Sequence, residues 1–132
     1  MTVNLNQTLG QRIRYARVKS GLTIEQLCEC ISYDKSSLID LEHDRINPQF
    51  VQWRILYGII QHCHITKEIL FDDYLLFCDK MPLKQIREEK GIKQNQIADF
   101  FGVARQTVSD WEHKRKRPSQ ETWQSLIDYF NS

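Results

Sequence analysis

An internal repeat constrains the fold of this chain more than any other feature of its sequence. When the sequence is shifted by 70 residues without a gap, ten positions are identical and the apolar positions between them match in kind. Self-similarity at a fixed period indicates that one structural unit occurs more than once. The sequence therefore predicts a duplication. The identical pairs are Arg17/Arg87, Gly21/Gly91, Gln26/Gln96, Asp40/Asp110, Glu42/Glu112, His43/His113, Arg45/Arg115, Pro48/Pro118, Trp53/Trp123 and Leu56/Leu126.

Each repeat has the pattern of several short helices. Apolar residues recur at helical spacing, and the 132 residues include only 3 Pro and 5 Gly. In the second repeat we expect helices over about 93–100 and 105–112, joined by a turn at Gly102, and a last helix from about Gln120. Two helices joined by a short turn that contains Gly are typical of a helix-turn-helix.

The repeat also sets the expected domain organisation. We predict an all-α protein with a first domain over 1–71 and a second over 81–132, each of four to five short helices. The segment 72–80 is predicted as a linker, and its conformation as linker, helix extension or strand stays open.

Positive charge is concentrated in the second half of the chain. The formal net charge is only +1, but residues 1–79 carry 8 Lys and Arg against 10 Asp and Glu, whereas residues 80–119 carry 10 against 5. A basic patch on one part of a protein is what a phosphate-binding face needs, whatever the total charge. The sequence thus favours a nucleic-acid contact in the second domain.

The sequence contains no pattern that is typical of an enzyme, a metal protein or a membrane protein. No constellation typical of a catalytic site, a phosphate loop or a structural metal site is present, so we expect no enzyme, no cofactor, no metal and no small-molecule substrate. No apolar run is long enough to span a membrane. Without a secretory segment, a cytoplasmic protein with reduced thiols is expected. The four cysteines are Cys28, Cys30, Cys63 and Cys78.

The segment from Gly91 to Glu112, GIKQNQIADFFGVARQTVSDWE, and the basic run HKRKRP that follows it carry a family resemblance. Together they resemble the Cro/C1-type (XRE) helix-turn-helix family of phage and bacterial repressors. The resemblance covers roughly 82–130 and implies a partner, double-stranded DNA. With the repeat, it implies two tandem lambda-repressor-like helix-turn-helix domains.

The first repeat, roughly 9–70, is similar to the same family but departs from it at two positions. Ile24 stands where the second repeat has Gln94, and Ser32 stands where the family has a turn glycine. These departures put direct DNA contact by the first domain in doubt more than they do its fold.

The resemblance implies a role for each matching side chain. Gln94 would donate to a phosphate and brace the recognition helix, the helix that enters the major groove. Base contacts would come from Arg105, Gln106, Ser109 and Asp110. Phosphate contacts would come from Gln94, Thr107, His113, Lys114, Arg115, Lys116 and Arg117. In the first domain, possible DNA contacts are Lys35, Ser36 and Arg45.

The resemblance also implies two structural ion pairs, Arg17 with Glu42 and Arg87 with Glu112. Each pair would clamp the first helix of its domain to the third. A half-buried pair of this kind makes the loss of one partner alone costly.

Two functional interpretations follow. The first is a transcriptional regulator, expected to be a repressor from a phage, mobile element or bacterium. It would read half-sites with the helix at about 104–112. The alternative is a protein-interaction module, an antitoxin or inhibitor, whose first domain binds a protein target while the second autoregulates its operon. A homodimer remains an open alternative.

Overall fold

The computed structural model describes residues 7–132, so the first six residues of the predicted first domain lie outside the described part. Residues 7–132 form ten α-helices and one short 3-10 helix, with no strand, which confirms the expected all-α class. The chain divides between Asp72 and Asp73 into two compact parts, which we call the first unit and the second unit. None of the helices in 7–132 is long and apolar enough to cross a membrane.

The first unit begins with a helix that its own sequence caps. The side chain of Thr8 accepts a hydrogen bond from the backbone N–H of Gln11, and Thr23 does the same for Gln26 at the next helix. Such capping boxes satisfy backbone donors that a helix start leaves unpaired. The helices of this unit are α1 (Leu9–Lys19), α2 (Ile24–Ile31), α3 (Lys35–Glu42), α4 (Trp53–His62) and α5 (Lys67–Leu70), with the 3-10 helix Pro48–Phe50 before α4.

The second unit repeats the helix-turn-helix pair of the first unit, and it has α6 as an additional helix. Adding 70 to the bounds of α2 gives those of α8, and the same offset relates α3 to α9. The predicted helix over 105–112 has the observed bounds, and the predicted start at Gln120 is also found. The helices of this unit are α6 (Asp73–Lys80), α7 (Leu83–Glu89), α8 (Gln94–Phe101), α9 (Arg105–Glu112) and α10 (Gln120–Asn131).

The prediction of a linker over 72–80 is wrong for most of that segment. Residues 73–80 form α6, which belongs to the second unit. Tyr74, Leu75 and Cys78 are all buried. Their spacing of one and four residues places them on one face of a helix, so burial of that face stabilises the helix.

The core of the second unit orients α9. Val108 and Trp111 are buried together with Ile97 of α8 and Leu126 of α10. Since these two α9 side chains are three residues apart, they share one side of the helix. The opposite side of α9 therefore faces away from the core.

Left-handed residues make the turn between the second and third helices of each unit. Gly102 has a φ of 66° at the end of α8, and Ser32 has a φ of 51° at the matching place after α2. Only glycine adopts this conformation without a steric penalty from Cβ. The first unit thus keeps the turn of the second in spite of its serine.

The strained serine generates a prediction for stability. We expect Ser32→Gly to raise the free energy of unfolding by about 1 kcal/mol, because the turn then loses its Cβ penalty. Urea unfolding followed by circular dichroism measures this change. Ser36→Gly, in the first turn of α3, is the control and should lower stability by about 0.5–1 kcal/mol. Equal destabilisation by both variants would contradict the account of the turn.

Candidate nucleic-acid interface

The solvent side of α9 carries three of the four predicted base contacts. Arg105 and Gln106 are exposed and Ser109 is half-buried, while Val108 and Trp111 face the core. We call the surface of Arg105, Gln106 and Ser109 the outer face of α9. Because α9 begins at Arg105, the first two of these side chains lie in its first turn.

A chain of hydrogen bonds links the outer face of α9 to α7 and α8. Arg87 donates to both carboxylate oxygens of Glu112, at 2.8 and 3.2 Å, and this pairing raises the pKa of Arg87. Gln94 Nε2 donates to Glu112 Oε1 at 2.9 Å, and Arg105 Nη1 donates to Gln94 Oε1 at 3.3 Å. The buried ion pair therefore fixes Gln94, and Gln94 in turn steadies Arg105.

Asp110 supports its neighbours, and the prediction that it contacts bases needs correction. It is only 8% exposed. Its Oδ1 accepts from Gln106 Nε2 at 3.0 Å and from Arg115 Nε at 2.8 Å, and the bond from Arg115 lowers the pKa of Asp110 most. A carboxylate in this position orients the amide of Gln106, because an ionised carboxylate only accepts hydrogen bonds.

We call residues 113–118, after α9, the basic loop. His113, Lys114, Arg115 and Lys116 are exposed in it, as phosphate contacts must be. Lys116 Nζ lies 3.8 Å from Asp110 Oδ2, and His113 Nδ1 lies 2.8 Å from the backbone oxygen of Ser109.

Two other predicted phosphate contacts are less open to solvent. Arg117 is 8% exposed, and its burial lowers the pKa of the guanidinium. The structure therefore does not place Arg117 with the exposed cations of the basic loop, and its phosphate contact stays a prediction. Thr107 is half-buried on α9.

Three polar residues that the sequence argument missed lie beside the predicted ones. Lys84, Lys93 and Asn95 line the same surface depression as Gln94, Arg105 and His113. The signal that could have found the two lysines is the excess of Lys and Arg over residues 80–119. The individual DNA contacts were implied by the family resemblance, which did not include Lys84 of α7 or Lys93 at the N-cap of α8.

In the first unit, the equivalent side chains are engaged with carboxylates. Lys35 Nζ pairs with Glu25 at 2.7 Å, and Arg45 Nη1 donates to Asp40 at 3.0 Å. The bond from Lys35 lowers the pKa of Glu25 and raises that of Lys35. Ser36 Oγ donates at 2.6 Å to the N-capping carboxylate that begins α3.

The loop after α3 has a different charge from the basic loop. Asp44, Ile46 and Asn47 occupy the positions that match Lys114, Lys116 and Arg117. At the start of α1, the Asp44 carboxylate accepts hydrogen bonds from the backbone N–H of Gly10 at 3.0 Å and from the hydroxyl of Thr8 at 2.7 Å. The first unit therefore places a structural carboxylate where the second places a solvent-exposed cation.

The titratable groups of the described residues form no metal site. Within residues 7–132, no three or more His, Cys, Asp and Glu side chains are grouped so as to hold a metal ion. Cys28 and Cys63 are buried, and burial raises the pKa of both thiols, which favours their protonated form.

The comparison with known proteins agrees with this geometry. Residues 83–132 match a family model described as helix-turn-helix. The second unit contains a helix-turn-helix domain of the Cro/C1 type. This domain is a DNA-binding module of transcription regulators, and its partner is double-stranded DNA. No curated protein and no solved structure matches the chain.

Both ion pairs implied by the resemblance are present, which allows a matched test. Arg17 donates to both oxygens of Glu42, at 2.7 and 3.0 Å, as Arg87 does to Glu112. The Glu112 side chain is 1% exposed and that of Glu42 is 3% exposed. Removal of either carboxylate leaves a largely buried arginine without its main partner.

We expect Glu112→Ala to destabilise the helix-turn-helix domain by about 3 kcal/mol and to abolish DNA binding with it. Glu42→Ala should destabilise the first unit by a similar amount and leave DNA binding intact. Urea unfolding and fluorescence anisotropy with labelled duplex DNA measure the two effects. Full DNA affinity in folded Glu112→Ala protein would refute the structural role of the pair.

Proposed function

We propose that this chain is a sequence-specific transcriptional regulator that binds DNA with its second unit and acts as a repressor. In this proposal α9 enters the major groove with Arg105 and Gln106 foremost. The observation that carries it is the combination of an exposed outer face and an exposed basic loop on one helix-turn-helix domain.

The chemistry of the outer face suits purine bases. Arginine can donate bidentately to O6 and N7 of guanine, and glutamine pairs with N6 and N7 of adenine. Asp110 takes one hydrogen of the Gln106 amide, so the carbonyl oxygen of that amide points away from the carboxylate. The second amide hydrogen and this oxygen are the two groups that adenine requires. We therefore expect a half-site that contains both guanine and adenine.

Phosphate contacts would supply affinity rather than specificity. Lys114, Arg115 and Lys116 of the basic loop are exposed on one side of α9. Lys84 and Lys93 line a depression together with Arg105 and His113. Each phosphate that these cations neutralise should steepen the dependence of log K on log salt by about 0.9.

The first unit is proposed to contribute little to DNA contact. Lys35 is paired with Glu25, and Asp44 would stand close to a phosphate if α3 entered a groove. Such a carboxylate repels the DNA backbone. A first unit that makes little contact with DNA is compatible with the second candidate function, in which the first unit binds a protein target while the second controls transcription.

Arg105→Ala and Lys35→Ala form a matched pair of variants at equivalent positions. Selection of bound sequences from random duplex DNA should show that Arg105→Ala loses preference at one base pair. That loss is worth roughly 1–3 kcal/mol of discrimination. Lys35→Ala should select the same sequences as the unchanged protein, because its ammonium group is paired with Glu25.

Other outcomes of this selection would contradict specific parts of the proposal. Uniform weakening by Arg105→Ala, with no change of preference, would make Arg105 a phosphate contact. A changed preference in Lys35→Ala would show that the first unit also reads bases, and would overturn its proposed role in protein binding. Selection of no sequence by the unchanged protein would overturn the proposed function itself.

A further inference from the structure

Helix α6 makes a polar contact with the end of the basic loop. Tyr74, in the first turn of α6, is 1% exposed, and its hydroxyl donates to the backbone oxygen of Pro118 at 2.6 Å. The family match begins at residue 83, so α6 is an element added to the matched domain. The contact joins this added helix to the loop that carries the exposed cations.

Aromatic packing extends the same contact to the start of α10. The ring of Tyr74 meets the ring of Trp123 edge-on, with centroids 5.6 Å apart, and Phe77 lies 6.4 Å from Trp123. Trp123 stands in the first turn of α10, whose N-cap is Ser119. One face of α6 therefore holds both the last residue of the basic loop and the helix that follows it.

Arg117 of the basic loop is buried next to Pro118, the residue that Tyr74 contacts. Arg117 is 8% exposed, and burial lowers the pKa of its guanidinium. At the other end of the loop, the backbone N–H groups of Arg115 and Lys116 donate to the carbonyl of Asp110 at 2.9 and 3.3 Å. The backbone of the loop is thus held at Arg115 and Lys116 by Asp110 and at Pro118 by Tyr74. The side chains of Arg115 and Lys116 are exposed.

We propose that Tyr74 is a positioning residue for DNA binding, through which α6 holds the basic loop so that Arg115 and Lys116 are placed for two phosphates before DNA arrives. The proposal rests on the proposed function of the second unit. Its physical basis is preorganisation. A loop that is already ordered loses less conformational freedom on binding than a free one. Since phosphates are the same in every sequence, the effect must be independent of base sequence.

The test compares Tyr74→Phe with Tyr129→Phe in the full chain. Both variants remove one hydroxyl from the second unit, but Tyr129 packs on Phe100 and Phe101, away from the basic loop. Three quantities are measured for each folded variant. They are the affinity for several duplex sequences, the salt dependence of that affinity, and the hydrogen exchange of the Arg115 and Lys116 amides in the free protein.

For Tyr74→Phe we expect the dissociation constant to rise about fivefold on every sequence, as for the loss of one hydrogen bond. The slope of log K against log salt should become shallower by about one unit, as for the loss of one phosphate contact. Amide exchange at the two loop residues should be faster than in the unchanged protein. Tyr129→Phe should match the unchanged protein in all three measurements.

The proposal is overturned if Tyr74→Phe behaves as Tyr129→Phe does. It is also overturned if Tyr74→Phe changes the preferred base sequence while the salt slope stays the same, because Tyr74 would then act through α9. If the unchanged protein binds no duplex DNA, the proposed function fails separately. Amide exchange then decides whether Tyr74 holds the loop, with faster exchange in Tyr74→Phe supporting the anchor and equal exchange in both variants refuting it.

Discussion

The buried ion pair between Arg87 and Glu112 is the constraint on which the second unit depends. It joins α7 to the end of α9 at 2.8 Å, and the Glu112 side chain is 1% exposed. A carboxylate in such a place is stable only with its partner, so the pair holds the end of α9 against α7. The same carboxylate holds Gln94, which steadies Arg105. A structural interaction thereby sets the position of a side chain proposed to read bases.

The duplication shows which parts of this arrangement serve the fold and which serve binding. Both units keep the ion pair, the left-handed turn and the bounds of the second and third helices. They differ in what surrounds the third helix, where the first unit has Asp44 and the second has Lys114 at the same left-handed position. The two units therefore share their structural contacts but carry opposite charges after the third helix, which supports different binding roles for them.

Local sequence patterns were sufficient to predict the helices of the second domain. Gly102 and the spacing of Val108 and Trp111 gave the bounds of α9, because turn chemistry and helical periodicity depend on neighbouring residues. The helix caps are equally local, because the Asp34 side chain accepts from the backbone N–H of Ser37 at the start of α3, whereas Ala104 has no side chain to cap α9.

Features that depend on distant residues were not predictable in this way. Arg117 has the same charge as Arg115, but Arg117 is 8% exposed whereas Arg115 is open to solvent. The contact of Tyr74 with the loop spans 44 residues of sequence. For the same reason, the sequence did not predict that residues 73–80 form a helix of the second unit. Partners of the apolar face of this helix, such as Pro118 and Trp123, lie far along the chain.

The central claim is that only the second unit presents a DNA-binding surface. Backbone amide chemical shifts of the full chain, recorded during titration with a selected duplex, test it most directly. The account predicts shift changes at Gln94, Arg105, Gln106 and over 113–116, and none at the equivalent positions Ile24, Lys35, Ser36 and 43–46. Shift changes of similar size in both units would contradict it, as would changes confined to the first.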